Sequence, residues 1–384
     1  MKTSLTDFAV FGGRPTFAAP LRVSPPACPD WNKTEVQLRG IFERRYFANH
    51  GPLVSKLDAQ FAVYTGRKHA ISVVNDGLAL MILAKGLDLQ GEVIVPALCR
   101  SGVFDALRWA GLMPVPCDVE SDTGLMSTSS IRKLITPRTS AILGVHLWGR
   151  ACAPVDLPTL SEETRLPLLF DATHGVAIRH AGKSLGSFGQ AAFFSFQEGE
   201  MLDCAEGACI VTDDELLANK LRTIKNFHPG HTFAPVPLRI NGKMSEAQAA
   251  LALVGLDELQ HNSDDNMERA RAYAEGLTAI PGVRILSGME SPQIIVDIDP
   301  IDFGLERNAL FNLLEKENLY AQKFSSDPIQ NAAGVKNAFG LAQRIVQLPC
   351  HPGMTKEDID KVCLLLRTIA VHSARISQRM EAKP

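Results

Sequence analysis

The stretch from Phe170 to Gly207 contains the side chains best suited to catalysis or ligand binding. Asp171 ends the apolar run PLLFD, and His174 follows three residues later. A carboxylate and an imidazole can exchange protons with a ligand, and ligands of α/β sheets bind at the carboxyl ends of strands. The same spacing is typical of an aspartate that caps a helix beside a solvent-facing histidine. The pair alone leaves both interpretations open.

The apolar pattern around these residues predicts an α/β fold. Short apolar runs alternate with helix-like stretches such as LALMILAKGL and SSIRKLI, which is the pattern of a largely parallel sheet buried on both faces. The predicted strands are 70–74, 92–96, 114–119, 139–149, 167–173, 191–196 and 208–213.

The pattern changes in the last third of the chain. A long helical stretch opens at Ser245, and shorter strands and helices follow it. We predict a large α/β domain with an N-terminal arm over residues 1–250 and a smaller α+β domain over residues 251–384.

Composition excludes several classes of protein. The chain has 384 residues, 46% of them hydrophobic, and a formal net charge of −3, so it predicts a folded core and no basic surface for nucleic acid or anionic lipid. No apolar run approaches a membrane span and the N-terminus lacks a signal core, so we expect a cytoplasmic protein. The eight cysteines show no zinc-site spacing, so we expect reduced thiols and no metal.

Several longer motifs follow one another in a familiar order: FGGRPTF, NHGPLVSKLDAQFA, GEVIVPA, ITPRTSAILGVHLWGR, FDATHG, GSFGQAAFFSF and LPCHPGMTKEDID. In this order they resemble the DegT/DnrJ/EryC1/StrS family, the sugar aminotransferases of pyridoxal phosphate (PLP) fold type I. The resemblance covers nearly the whole chain. It implies a large domain with a mostly parallel, seven-stranded type of sheet, a smaller C-terminal α+β domain, and a homodimer with the active site at its interface.

The resemblance also assigns cofactor-binding residues. Asp171 matches the aspartate that pairs with the pyridinium nitrogen of PLP, and His174 matches a polar residue that contacts the ring hydroxyl. Ser195 matches a serine that binds the cofactor phosphate, and Asn226 matches an asparagine that reaches the phosphate in the partner subunit. Gly77 lies in the segment that matches the phosphate-binding turn.

Three positions depart from the family's pattern. Glu200 stands where the family's SFHATK motif has the Schiff-base lysine, and a carboxylate cannot form an imine. Arg100 stands where an aromatic residue stacks on the ring. Asp76 places a negative charge at a helix N-terminus that should hold a phosphate, unless its carboxylate caps that helix. We expect Arg100 and Glu200 to face one another as an ion pair, directly or through a ligand or water.

Four further residues are candidates for substrate binding: Asp76, Gln197, Lys243 and Lys323. Lys243 matches a position that lies near the substrate in the family. Lys323, in the sequence Gln-Lys-Phe, matches a segment where family members carry arginines and a tyrosine for the sugar nucleotide.

These departures leave three functions open. The first is a biosynthetic enzyme of a sugar or secondary-metabolite pathway that works without PLP. Glu200, Asp76 and His174 would be its acid–base groups, and Arg100 would hold an anionic group. Its reactions would be elimination, cyclisation, isomerisation or condensation. The second is a dehydratase or aminotransferase-like enzyme that holds PLP or pyridoxamine phosphate (PMP) without a covalent bond. The third is a non-catalytic homologue that regulates a partner. The first of these functions needs no cofactor, and we expect none to be bound.

Overall fold

The computed structural model describes residues 2, 4–23, 29–227, 234–291, 293–324 and 334–381. Cys28 lies outside the described residues. The helices are α1 (Trp31–Arg44), α2 (Pro52–Thr65), α3 (Asp76–Gly86), α4 (Ser101–Trp109), α5 (Thr128–Leu134), α6 (Asp156–Thr164), α7 (Glu215–Ile224), α8 (Glu246–Leu277), α9 (Pro300–Phe303), α10 (Arg307–Lys316), α11 (Lys336–Arg344) and α12 (Lys356–Glu381). The strands are β1 (Leu21–Arg22), β2 (His69–Val73), β3 (Glu92–Pro96), β4 (Met113–Cys117), β5 (Thr139–Val145), β6 (Leu168–Asp171), β7 (Arg179–His180), β8 (Lys183–Ser184), β9 (Ala191–Ser195), β10 (Ala208–Thr212), β11 (Val283–Ile285), β12 (Ile294–Ile298), β13 (Leu319–Tyr320), β14 (Gln322–Lys323) and β15 (Ile345–Leu348).

The larger of two compact units contains a seven-stranded sheet in the order β2-β10-β9-β6-β5-β3-β4. Strands β4, β3, β5, β6 and β9 pair in parallel, and β10 runs antiparallel to both β9 and β2. Six strands therefore point the same way and one is reversed. The predicted α/β fold with a mostly parallel seven-stranded sheet is confirmed.

The strands of this sheet are apolar because helices cover both of its faces. Strands β3, β6, β9 and β10 are buried along their whole length. Phe61 of α2 packs edge-on against Phe194 of β9 and against Phe196, at centroid distances of 5.1 and 5.2 Å. Aromatic contacts of this kind add to the free energy that apolar burial contributes. The result is a rigid base under the strand ends.

Helix α8 begins as its sequence predicts. The Ser245 hydroxyl accepts a hydrogen bond from the Gln248 amide at 3.2 Å, and the Gln248 side-chain oxygen accepts one from the Ser245 amide at 2.9 Å. This reciprocal pair is a capping box. The next residue, Glu246, is fully buried and accepts from the amides of Leu53 and Val54 at the start of α2, at 3.0 Å each. One short segment thus fixes two helix N-termini.

The smaller unit contains a four-stranded antiparallel sheet, β11-β12-β15-β14. It consists of Met1–Pro25, Ser263–Ser325 and Phe339–Pro384, while the larger unit consists of Pro26–Asn262 and Ser326–Ala338. These bounds differ from the predicted 1–250 and 251–384, because the N-terminal arm belongs to the smaller unit.

The buried carboxylate of Glu317 holds the arm in the smaller unit. It accepts hydrogen bonds from the amides of Ala9 and Thr16, each at 2.8 Å, and forms an ion pair with Lys2 at 2.7 Å. Strand β1 then pairs in parallel with β13. The periodicity of the sequence cannot predict these contacts, because the paired residues lie about 300 positions apart.

Some expected features can be checked only over the described part of the chain. The seven cysteines there carry free thiols. The same residues include no cluster of three or more His, Cys, Asp or Glu side chains that could hold a metal ion. Within those ranges no helix is long and apolar enough to cross a membrane.

Candidate active site

Four loops at one edge of the large sheet bring the candidate residues together. Asp76 begins α3 just after β2, and Arg100 immediately precedes α4 after β3. Asp171 is the last residue of β6, and Glu200 lies in the loop after β9. Because these four strands share one direction, their carboxyl ends meet, as in other α/β ligand sites.

The Arg100 guanidinium is the centre of this group. One of its terminal nitrogens donates to Asp76 Oδ2 at 2.6 Å, and the other donates to Asp171 Oδ2 at 2.9 Å. The second nitrogen also lies 3.4 Å from Thr173 Oγ1. Arg100 therefore bridges two carboxylates, which is the paired geometry expected of a largely buried arginine.

These contacts fix the ionisation of Asp171. Its side chain is almost fully buried, and burial alone would raise the pKa of its carboxyl. The charge of Arg100, a hydrogen bond from Thr173 and the hydrogen bond from Arg100 outweigh burial, so the pKa lies below its ordinary value. The neighbouring carboxylates likewise raise the pKa of Arg100 against the effect of burial. Both groups stay charged at neutral pH.

The N-terminus of α3 is capped by its own side chains. Asn75 Oδ1 accepts from the Leu78 amide at 2.9 Å, and Asp76 Oδ1 accepts from the Gly77 amide at 2.8 Å. These amides are the donors that a phosphate would use at a helix N-terminus. The helix-capping role suggested for Asp76 is therefore present, and an anion at Gly77 has to compete with a carboxylate.

Glu200 lies beside His174 and not beside the Arg100 guanidinium. Its Oε1 atom is 3.8 Å from His174 Nε2, and its Oε2 atom is buried with no hydrogen-bond partner among the described residues. Arg100 and Glu200 form no direct ion pair, since the guanidinium contacts the two aspartates; the predicted contact through a ligand or water stays a prediction. Burial raises the pKa of the Glu200 carboxyl to about 7; Arg100 opposes this shift, and Asp171 and Asp76 add to it.

His174 is held as a neutral imidazole. The Trp148 backbone amide donates to its Nδ1 atom at 3.2 Å, so Nε2 carries the proton and faces Glu200. Burial, together with the nearby charge of Arg100, lowers the pKa of His174 to about 4. At neutral pH Glu200 is therefore the group of this pair that can gain or lose a proton.

Two further residues, Thr173 and Trp148, contribute to the site although no sequence motif points to them. Thr173 Oγ1 accepts from the Ser195 amide at 3.0 Å and so connects the β6 and β9 loops. Trp148 is fully buried, and its backbone, which is left-handed with φ 51°, supplies the amide that donates to His174. Thr173 could have been predicted as a site residue, because it lies between Asp171 and His174. The backbone amide of Trp148 could not, because no residue type marks a backbone donor in a sequence.

The other predicted residues lie in different surroundings. The Ser195 side chain is buried and its Oγ accepts from the Gln197 amide at 3.4 Å, while the Asn226 side-chain amide donates to Asn49 Oδ1 at 2.8 Å. Lys243 forms an isolated β-bridge with Val73. Lys323 belongs to the smaller unit, where its ammonium lies 5.3 Å from the centre of the Phe311 ring.

Comparison with known proteins identifies the fold family. Residues 32–367 match the DegT/DnrJ/EryC1/StrS aminotransferase family. The chain belongs to this family.

Members of the family with assigned names show what the chain is similar to. It is 28% identical to dTDP-4-amino-4,6-dideoxy-D-glucose transaminase of Shigella dysenteriae, over 91% of this chain and 99% of the relative. It is 34% identical to DesI, solved in the presence of its TDP-sugar product, with a TM-score of 0.93 over 98% of this chain and all of DesI. A GDP-4-keto-6-deoxy-D-mannose-3-dehydratase of E. coli shares the fold, with 20% identity and a TM-score of 0.81 over 90% of this chain and all of that one.

These relatives correct the expectation of no cofactor, which was wrong. The matching family is one of aminotransferases, a curated relative is a transaminase, and the structure of the dehydratase contains hydrated PLP. The cofactor class to consider for this chain is therefore that of PLP and PMP.

The described residues fit such a group if no covalent bond to the protein is required. Asp171 is buried, ionised and already accepts an N–H⁺ donor from Arg100, which stands in for the protonated ring nitrogen of a pyridine. Glu200 offers a second buried acceptor. No lysine contacts Asp76, Asp171 or Glu200 among the described residues, and the buried Lys225 donates to the Ser72 carbonyl at 2.7 Å.

We expect Arg100→Met to lower the free energy of unfolding by about 3–5 kcal/mol, because it leaves the buried Asp171 carboxylate without its counter-charge. Urea unfolding followed by tryptophan fluorescence measures this change. Arg108→Met is the matched control: Arg108 lies on α4, pairs with Asp105 and is largely exposed, so its loss should cost less than about 1 kcal/mol. Equal effects of the two variants would contradict the proposed role of the bridge.

Glu200 should make the protein less stable as pH rises. Its pKa increases on folding from an ordinary 4.5 to about 7, so its contribution is complete at pH 4.5 and lost as pH rises through 7, by on the order of 3 kcal/mol. His174 acts in the opposite direction below pH 6.5, because its pKa falls on folding. The test therefore compares wild type with Glu200→Gln by urea unfolding between pH 5 and 8.5. The stability of wild type should fall relative to that of the variant, and parallel pH profiles would contradict the assignment.

Proposed function

We propose that this chain is a biosynthetic enzyme for a nucleotide-linked sugar, that it holds a cofactor of the PLP or PMP type without a covalent bond, and that Glu200 is its acid–base group. One observation supports the proposal: the Glu200 carboxyl is buried 3.8 Å from His174 Nε2, and burial raises its pKa to about 7. The resemblance to the family aligns this position with the lysine of its motif. A group with such a pKa is suited to both halves of a proton transfer near neutral pH.

The neighbours of Glu200 support this role. His174 is neutral and presents its Nε2 proton toward Glu200 Oε1, so it can orient the carboxylate without competing for the proton. Arg100 keeps Asp171 ionised. Asp171 would accept a hydrogen bond from the protonated ring nitrogen of the cofactor, which would replace the one that Arg100 donates to it. When bound, the cofactor supplies an electron sink next to the reacting sugar carbon.

This arrangement favours elimination or isomerisation over conventional amino transfer. Amino transfer depends on a side-chain amine that forms an imine with the cofactor, and the proposed alignment gives this position to the carboxyl group of Glu200, which cannot do so. An acid of this kind can protonate a leaving hydroxyl or remove a proton from carbon. The raised pKa also favours a catalytic role over that of a regulatory homologue, because such values cluster at functional sites.

The substrate class is proposed from the relatives, which include a dTDP-sugar transaminase and a structure with a TDP-sugar product. Roles of Gln197, Lys243 and Lys323 in holding that substrate stay predictions. So does the homodimer with its site at the interface, to which Asn226 would contribute.

We expect no covalent link between cofactor and wild-type protein. After incubation with PLP, borohydride reduction and digestion, mass spectrometry should find no pyridoxyl group on any lysine, and gel filtration should remove the cofactor. Glu200→Lys is the positive control, since its amine can form a reducible imine. A pyridoxyl-lysine in the wild-type protein would refute the proposal.

Replacing Glu200 by Gln should slow proton transfer by about 100-fold or more, because the amide cannot exchange a proton. The readout is deuterium incorporation from D₂O into dTDP-4-amino-4,6-dideoxy-D-glucose or GDP-4-keto-6-deoxy-D-mannose, in the presence of PMP or PLP, followed by mass spectrometry. Glu198→Gln removes the same charge from an exposed position of the same loop and should change nothing. Unchanged exchange in Glu200→Gln, with circular dichroism showing an intact fold, would assign the role elsewhere.

A further inference from the structure

The charges of the candidate site do not balance. Three carboxyl groups, those of Asp76, Asp171 and Glu200, share one guanidinium, that of Arg100. His174 adds no positive charge, because it is neutral at physiological pH. With all three carboxylates ionised, the site carries two negative charges in excess.

Glu200 is the carboxyl group of these three that forms no direct ion pair with Arg100. One terminal nitrogen of Arg100 donates to Asp76, and the other donates to Asp171. The Glu200 side chain is only 5% exposed, and its Oε2 atom meets no hydrogen-bond donor among the described residues. A buried acceptor without a donor costs free energy in the folded protein, so a ligand that supplies the donor recovers it.

We propose that Glu200 binds a primary ammonium group of the ligand, carried either by the aminomethyl group of PMP or by the amine of a nucleotide-linked amino sugar. The inference rests on the proposed function and names the ligand chemistry of the same site. Under this proposal the bound molecule carries the amine that the lysine of the family's motif would otherwise supply.

An ammonium fits this position better than other donors do. It is compact and supplies three N–H donors with a full positive charge, so it can satisfy Oε2 and offset the charge surplus together. A hydroxyl can donate one hydrogen bond but leaves that surplus in place. An anionic group at this position would be repelled by the carboxylates of Asp76, Asp171 and Glu200. A metal ion lacks a cluster of three suitable ligands among the described side chains.

The proposal has a defined proton balance. Below pH 7 the Glu200 carboxyl of the free protein is largely protonated, and an ammonium beside it favours the carboxylate. Binding at pH 6 therefore breaks the Glu200 O–H bond and releases a proton to solvent, while the ligand amine stays protonated. At pH 8.5 the carboxyl is already ionised and little proton release remains.

Isothermal titration calorimetry with matched ligand pairs tests the inference. One arm compares PMP with pyridoxine 5′-phosphate, which carries a hydroxyl in place of the amine. The other compares dTDP-4-amino-4,6-dideoxy-D-glucose with dTDP-6-deoxy-D-glucose, which carries a hydroxyl in place of the amine. Each pair is measured at pH 6 and 8.5, in buffers of different ionisation enthalpy, on wild type, Glu200→Gln and Glu198→Gln.

We expect wild type and Glu198→Gln to bind the amine of one pair at least 10-fold more tightly than its hydroxyl analogue at pH 8.5. Binding of that amine at pH 6 should release a substantial fraction of one proton. Glu200→Gln should lose both the preference and the proton release. The arm in which these effects occur identifies whether the cofactor or the sugar carries the amine.

Equal affinity for amine and hydroxyl in both pairs would overturn the inference, and so would binding of neither pair or a preference that survives in Glu200→Gln. These outcomes differ from failure of the proposed function. That function fails if wild type forms a pyridoxyl-lysine or if Glu200→Gln keeps full deuterium exchange, whatever its preference for amines.

Discussion

One guanidinium among three carboxyl groups is the constraint on which the site depends. Arg100 lies between Asp76 and Asp171 and forms a hydrogen-bonded ion pair with each. A largely buried arginine can neutralise carboxylates that it contacts directly, and here these are the two aspartates. The third carboxyl group, Glu200, is buried without a direct contact to the guanidinium, and burial raises its pKa to about 7 although the charge of Arg100 opposes the shift.

The large sheet makes this arrangement possible. Strands β2, β3, β6 and β9 are fixed by apolar packing on both faces, so the loops that follow them start from fixed points. Thr173 connects two of these loops, and the left-handed backbone at Trp148 aims an amide at His174. A left-handed conformation is unfavourable for a tryptophan, and strain of this kind is found where the surrounding structure holds a functional group in place.

Sequence reasoning succeeded where patterns are local and failed where charges compete. It predicted the α/β fold, the strands of the sheet and the start of α8 at Ser245, because apolar periodicity and capping residues act over a few positions. It paired Arg100 with Glu200, whereas Arg100 contacts the two aspartates. It also favoured a site without a cofactor, which the relatives contradict. The direct pairing and the absence of a cofactor were both inferred from single positions, without the groups around them.

The sequence by itself determined which side chains reach the strand ends, since Asp76, Arg100, Asp171 and Glu200 each follow an apolar strand. Only the tertiary structure decided how they share charge. The contacts of Arg100 join residues 24 and 71 positions apart, and no periodicity encodes a preference among three carboxyl groups at such separations. That preference is set by distances of a few ångströms at low dielectric, where a neighbour at 2.9 Å keeps Asp171 ionised and its absence leaves Glu200 able to hold a proton.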